Sequence, residues 1–185
     1  KISANPFGNL FQTIAALKKE KGLFSIVLMY SFFWFNGGVV QQAITGLGEK
    51  GYLDIQAGEA SQISYLLVFL ALSIIVGSVA APKLAKRIPL GKLAAGGAVL
   101  MCASQALLRV MGSVVTRDHG AMMLARCAMV GIGFFGACFV VPIQSYLQHA
   151  PPPGMRGQTF AVNNFMNFIF IFTGGIWYML FRGNL

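Results

Sequence analysis

Residues 60–82 read Ala60-Ser-Gln-Ile-Ser-Tyr-Leu-Leu-Val-Phe-Leu-Ala-Leu-Ser-Ile-Ile-Val-Gly-Ser-Val-Ala-Ala-Pro82, without one charged side chain. A helix crossing the hydrocarbon layer needs about 20 mainly apolar residues, and this stretch supplies them. It does not alternate in polarity, as the roughly ten-residue strands of a membrane barrel do. Four more stretches share the property. Gly22–Gly48 and Gly157–Phe181 carry no charge, Leu93–Leu108 is uncharged up to Arg109, and Cys127–Met155 carries only His149. Spanning helices are predicted near 23–45, 60–81, 91–112, 121–147 and 157–181. Helices suit lipid because they satisfy their own backbone hydrogen bonds.

Composition agrees. Of 185 residues, 56% are hydrophobic and 10% charged, against about 25% charged in soluble domains. That excludes a disordered chain and argues against a soluble α/β enzyme. The net charge of +9 would suggest nucleic acid in a soluble protein, yet no contiguous basic face with interleaved aromatics appears. The placement of the charges reads as topology instead. Lys1, Lys18, Lys19, Lys21, Lys83, Lys86, Arg87, Lys92 and Arg156, with Glu20, fall on one side if all five helices span. Lys50, Arg117 and Arg182, with Glu49, Asp54, Glu59 and Asp118, fall on the other. Basic loops stay in the cytoplasm, so the N-terminus is expected there.

Residues 1–22 form a separate element ahead of the membrane domain, 23–185. Phe7, Leu10, Phe11, Ile14 and Leu17 recur at helical spacing, and Pro6 suits a first helical turn. The pattern fits an amphipathic helix lying on the cytoplasmic face and equally a linker helix packed on protein. Loops are expected at Gly51–Glu59, Pro82–Lys92, Thr116–Gly120 and Pro151–Gly157, where charge, proline and glycine collect. No secretory signal is visible. The chain opens at Lys1 without an initiator Met and stops at Leu185 soon after the fifth span, which reads as a piece of a longer protein.

Polar groups at membrane depth are costly and mark cavities or helix contacts. The first span holds Trp34, Asn36, Gln41 and Gln42 beside Gly37-Gly38. This is either a loosened, cavity-lining helix with amides as ligands or close packing through small residues. The fifth span holds Asn163, Asn164 and Asn167, then Thr173-Gly174-Gly175. Asn163 and Asn167 share a face, either lining a polar path or bonding to a neighbouring helix. Arg126, inside the fourth span, either snorkels outward or offers a fork for phosphate or carboxylate. Gly131, Gly133 and Gly136 follow as a small-residue face, and Pro142 should bend that helix. Cys102, Cys127 and Cys138 lack metal or disulfide spacing and read as packing residues. No catalytic constellation is present, no cofactor or metal is implied, and all five acids sit near water, so no enzyme is expected.

Two motifs carry a resemblance. Gly77-Ser-Val-Ala-Ala-Pro-Lys-Leu-Ala-Lys-Arg-Ile-Pro-Leu-Gly91-Lys92 resembles the loop where major facilitator superfamily transporters carry Gly-x-x-x-Asp-Arg-x-Gly-Arg, with Ala81 and Pro82 in place of Asp-Arg. Arg126 with Gly131, Gly133, Gly136 and Pro142, then Ala150-Pro-Pro-Pro-Gly-Met-Arg156-Gly157, is similar to the superfamily's arginine-and-glycine helix and the loop after it. The match is to the C-terminal half, from linker helix through eleventh helix. Ser31-Phe-Phe-Trp34-Phe and Leu90-Gly91 resemble the bacterial lysophospholipid transporters. The resemblance implies an all-α membrane protein of the inner membrane, a partial six-helix half working by alternating access with a missing N-terminal half and twelfth helix. It also implies a small amphipathic substrate drawn from membrane lipids and a fused or associated acyltransferase. Gln41, Gln42, Arg126, Asn163 and Asn167 are then the substrate-contact candidates. Gly37, Gly38, Gly77, Gly91, Gly131, Gly133, Gly136, Pro142, Arg156 and Gly157 are the conformational and helix-packing candidates. A carrier of another solute, or a non-transporting membrane anchor of a fused enzyme, uses the same features.

Overall fold

The computed structural model describes residues 6–20, 22–49, 60–114 and 119–181. They form six helices: α1 (Pro6–Lys19), α2 (Leu23–Glu49), α3 (Ala60–Ala85), α4 (Leu90–Val114), α5 (His119–His149) and α6 (Arg156–Phe181), with a short 3-10 turn at Pro153–Met155. No strand occurs among the described residues. Five of the helices are long and apolar enough to cross a membrane: Leu23–Gly46, Ile63–Ala85, Leu90–Arg109, Met122–His149 and Pro153–Phe181. The loop expected at Gly51–Glu59 and most of the turn expected at Thr116–Gly120 lie outside the described residues.

α2 runs on to Glu49 and α5 starts at His119, and two proline-marked ends also differ from the expectation. Pro82 does not stop α3, which continues to Ala85. The proline lacks the N–H that would bond to the Ser78 carbonyl four residues back, and α3 carries that one lost bond through its last turn. The helix is closed by Arg87 and Ile88, whose N–H groups both donate to the Leu84 carbonyl at 2.9 Å. Pro151–Gly157 is likewise shorter as a loop. Arg156 and Gly157 already belong to α6, and Arg156 Nε donates to the Pro151 carbonyl at 3.3 Å. The other proline within a span, Pro142, lies inside α5.

The chain divides into two compact units. The first comprises residues 1–42 and 143–185, and the second 43–142. In the first unit, α1 packs against α6. Leu17 and Thr13 are buried, whereas Phe11 is 68% exposed. Leu10, Thr13, Ile14 and Leu17 share one stripe, and Phe11 stands about 100° off Leu10, so it leaves the packed face. Gly22 follows with φ +82, a left-handed conformation that a side chain disfavours, and turns the chain into α2.

The second unit is built on close helix contacts. A Cβ placed on Gly77 of α3 would lie 2.7 Å from the Phe134 carbonyl oxygen of α5. One on Gly97 of α4 would lie 2.7 Å from the Phe139 nitrogen and 2.8 Å from the Phe135 carbonyl oxygen. Only glycine permits such backbone approach, the means by which helices associate in lipid without a hydrophobic driving force. Ala81, Leu93 and Cys138 form a buried cluster with Leu84, Ala85, Phe134 and Val141 around it. Large apolar side chains remain outside: Ile75, Val76, Val79, Val99, and in the first unit Phe168, Phe172 and Leu180. Such surface is intolerable in water and ordinary against lipid tails.

Candidate functional site

Three polar residues of α6 fall on one buried stripe. Thr159, Asn163 and Asn167 follow at four-residue steps, and all three are buried. Thr159 Oγ1 donates to the Met155 carbonyl at 2.9 Å, a back-bond that makes a hydroxyl inexpensive within a helix. Asn167 Oδ1 accepts from Ser31 Oγ of α2 at 3.0 Å. Asn163 differs. It is only 4% exposed, and its Oδ1 has no hydrogen-bond partner. An unpaired buried acceptor costs about 1–3 kcal/mol. It lies seven residues into α6, ~10 Å along the axis.

Beyond this polar section α2 and α6 meet backbone to backbone. A Cβ on Gly38 would lie 3.2 Å from the Ile171 carbonyl oxygen, and one on Gly174 would lie 2.7 Å from that of Phe35. Ser31 faces Asn167 and Gly38 faces Ile171, so the two helices run parallel. A first and a fifth span must do so if all five cross. Aromatic rings surround the pair. Phe35 and Trp177 meet at 6.3 Å between centroids, and Trp177 and Phe181 at 5.1 Å. Tyr30 and Trp34 meet edge-on at 6.3 Å.

Gln41 and Gln42 are exposed on α2, as are Gly37 on α2 and Asn164 on α6. In the second unit Arg126 is exposed on α5, its guanidinium carbon 5.8 Å from the Phe69 ring centroid. That is within cation–π range. A Cβ on Gly133 would run into Ser73 Oγ, and one on Gly131 into Ser104 Oγ. Gly136 and Pro142 are buried. A Cβ on Gly37, Gly91 or Gly157 would meet nothing within 4 Å.

Residue types alone did not single out Ser31, Ser73, Gly97, Gly174 or Gln105 as contacts. Ser73 Oγ donates to the Leu70 carbonyl at 2.7 Å, and Gln105 Nε2 is buried without a partner. The available signal was a polar or small residue inside an uncharged stretch, but serine and glycine are common there. Cys138 is buried, whereas Cys102 and Cys127 are exposed. Among the described residues no group of three His, Cys, Asp or Glu side chains gathers to hold a metal.

The family model of the Major Facilitator Superfamily matches residues 3–175. The chain belongs to the major facilitator superfamily. No curated protein and no solved structure matches it. A facilitator is a membrane transporter, and five apolar helices without a strand among the described residues suit a partial facilitator fold. In facilitators substrate sites lie near the bilayer midplane, with irregular or polar groups facing a cavity.

Proposed function

We propose that this facilitator chain supplies the C-terminal half of an alternating-access carrier of the bacterial inner membrane, with α1 as the cytoplasmic linker helix. The carried solute is a lysophospholipid or similar amphipath. The basic segments, Lys18–Lys21, Lys83–Lys92 and Arg156, face the cytoplasm. The supporting observation is the buried, unpaired Asn163 amide oxygen within a membrane span. Left empty it destabilises the fold, so its retention has a use. It accepts a hydrogen bond from the ammonium or hydroxyl of a polar head. Gln41 and Gln42, on α2 of the same unit, add amide contacts, and Arg126 of the second unit is a separate candidate for an anion. The sequence Ser31-Phe-Phe-Trp34-Phe supports the lipid-like substrate by resemblance.

The test is Asn163→Leu in the complete carrier, reconstituted in liposomes with labelled lysophosphatidylethanolamine. Replacing an unpaired amide by an apolar group of similar size should raise thermal stability by about 1–2 kcal/mol while transport falls at least tenfold. Undiminished uptake would overturn the assignment of Asn163. Uptake of other solutes with none of lysolipid would overturn the substrate class.

A further inference from the structure

We propose that the α3–α4 turn is a docking surface for anionic phospholipid head groups of the leaflet beside it. Lys83, Lys86, Arg87 and Lys92 fall within ten residues, and all four are exposed. The turn sits where the chain leaves one candidate span at Ala85 and begins the next at Leu90, the level of lipid phosphates. It is held on a fixed base. Ala81, Leu84, Ala85 and Leu93 pack with Phe134, Cys138 and Val141 of α5, and the backbone bonds that close α3 fix its shape.

Three observations favour a lipid anion. First, the turn from Lys83 to Lys92 contains no carboxylate, and none occurs among the described side chains of its unit, residues 43–142. Second, Lys92 lies in the first turn of α4, which contains no acidic residue. That turn is the positive end of the helix dipole, where an acid is favoured and a lysine opposed; an outside anion relieves both. Lys83, by contrast, sits in the last turn of α3, where the dipole favours it. Third, the cations are interleaved with apolar side chains that remain partly uncovered, Ile88 at 36% and Leu90 at 44% exposure. A soluble polyanion has no use for them, whereas a phospholipid offers acyl chain directly beneath its phosphate. Clusters of four or more basic residues beside a span attract anionic lipid with a contribution from each charge.

The experiment titrates the purified complete protein in neutral detergent with phosphatidylglycerol or phosphatidylcholine and counts bound lipids by native mass spectrometry. The parent should hold phosphatidylglycerol at least tenfold more tightly than phosphatidylcholine. Each single neutralisation, K86Q or K92Q, should weaken phosphatidylglycerol about fivefold. The quadruple variant K83Q/K86Q/R87Q/K92Q should lose the preference, and K83R/K86R/K92R should keep it. Should the quadruple variant fail to fold, the two single variants decide. Equal affinity for the two lipids in the parent would overturn the proposal, as would an unchanged preference in the neutralised variants. Displacement of phosphatidylglycerol by millimolar inorganic phosphate would also overturn it, because the ligand would then be a soluble anion.

Discussion

Gly96 and Gly97 are adjacent on α4, and alanine should act oppositely at the two. A Cβ on Gly96 meets nothing within 4 Å, whereas one on Gly97 would lie 2.7 Å from the Phe139 nitrogen, 2.8 Å from the Phe135 oxygen and 3.0 Å from the Cys138 carbonyl carbon. All three are α5 backbone atoms, so no side-chain rotation relieves the clash. Restoring ordinary contact at 3.4 Å from 2.7 Å means separating the helices by about 0.7 Å. Overpacking of this kind costs roughly 1–3 kcal/mol. Both variants gain the same helix propensity, up to about 1 kcal/mol, and that gain cancels when they are compared. Gly97→Ala should therefore be less stable than Gly96→Ala by about 1–3 kcal/mol, with Gly96→Ala at or above the parent. Thermal unfolding in one detergent, followed by tryptophan fluorescence, reads a gap of several degrees. Equal stability, or a more stable Gly97→Ala, would refute backbone contact between α4 and α5.

Other predictions follow from the first unit and from Arg126. A double-mutant cycle on Ser31→Ala and Asn167→Ala should give a coupling near 0.6 kcal/mol and below about 2 kcal/mol, read by unfolding in mild detergent; zero coupling would dismiss the hydrogen bond. Gly22→Ala should destabilise by about 1–2 kcal/mol, since the site has room but a left-handed φ. Stability equal to the parent would show that the turn relaxes. Arg126→Ala in the complete carrier should leave expression unchanged and reduce lysolipid uptake. Normal uptake would restrict this arginine to its contact with Phe69.

The five spans were legible because lipid imposes one rule, the near absence of charge over about twenty residues, and each uncharged stretch obeys it. Their ends were less legible. Pro82 signals a break, but α3 continues past it to Ala85, where Ala81, Leu84 and Ala85 pack with residues of α5. Helix spacing places Leu10, Ile14 and Leu17 together and Phe11 about 100° aside, but which of these faces is covered is decided by the packing of α1 on α6. The α6 amides were visible because asparagine is rare at depth; their difference was not. Asn167 is answered by a serine 136 residues away and the Asn163 amide oxygen by nothing, and neither fact is encoded locally. The same holds for glycine. Gly97 and Gly174 accept a neighbouring backbone while Gly37 and Gly91 face open space, although all four look alike in sequence.

The bond from Ser31 to Asn167 has a consequence for the order of synthesis. Its partners are 136 residues apart, and ribosomes add about 5–20 residues per second. The first span therefore waits on the order of ten seconds in the membrane before the fifth arrives to complete its contacts. A carboxylate or amide in place of Ser31 would spend that interval unanswered in lipid. A serine can turn its hydroxyl back onto its own helix and release it when Asn167 appears, so the smaller polar group belongs on the helix made first.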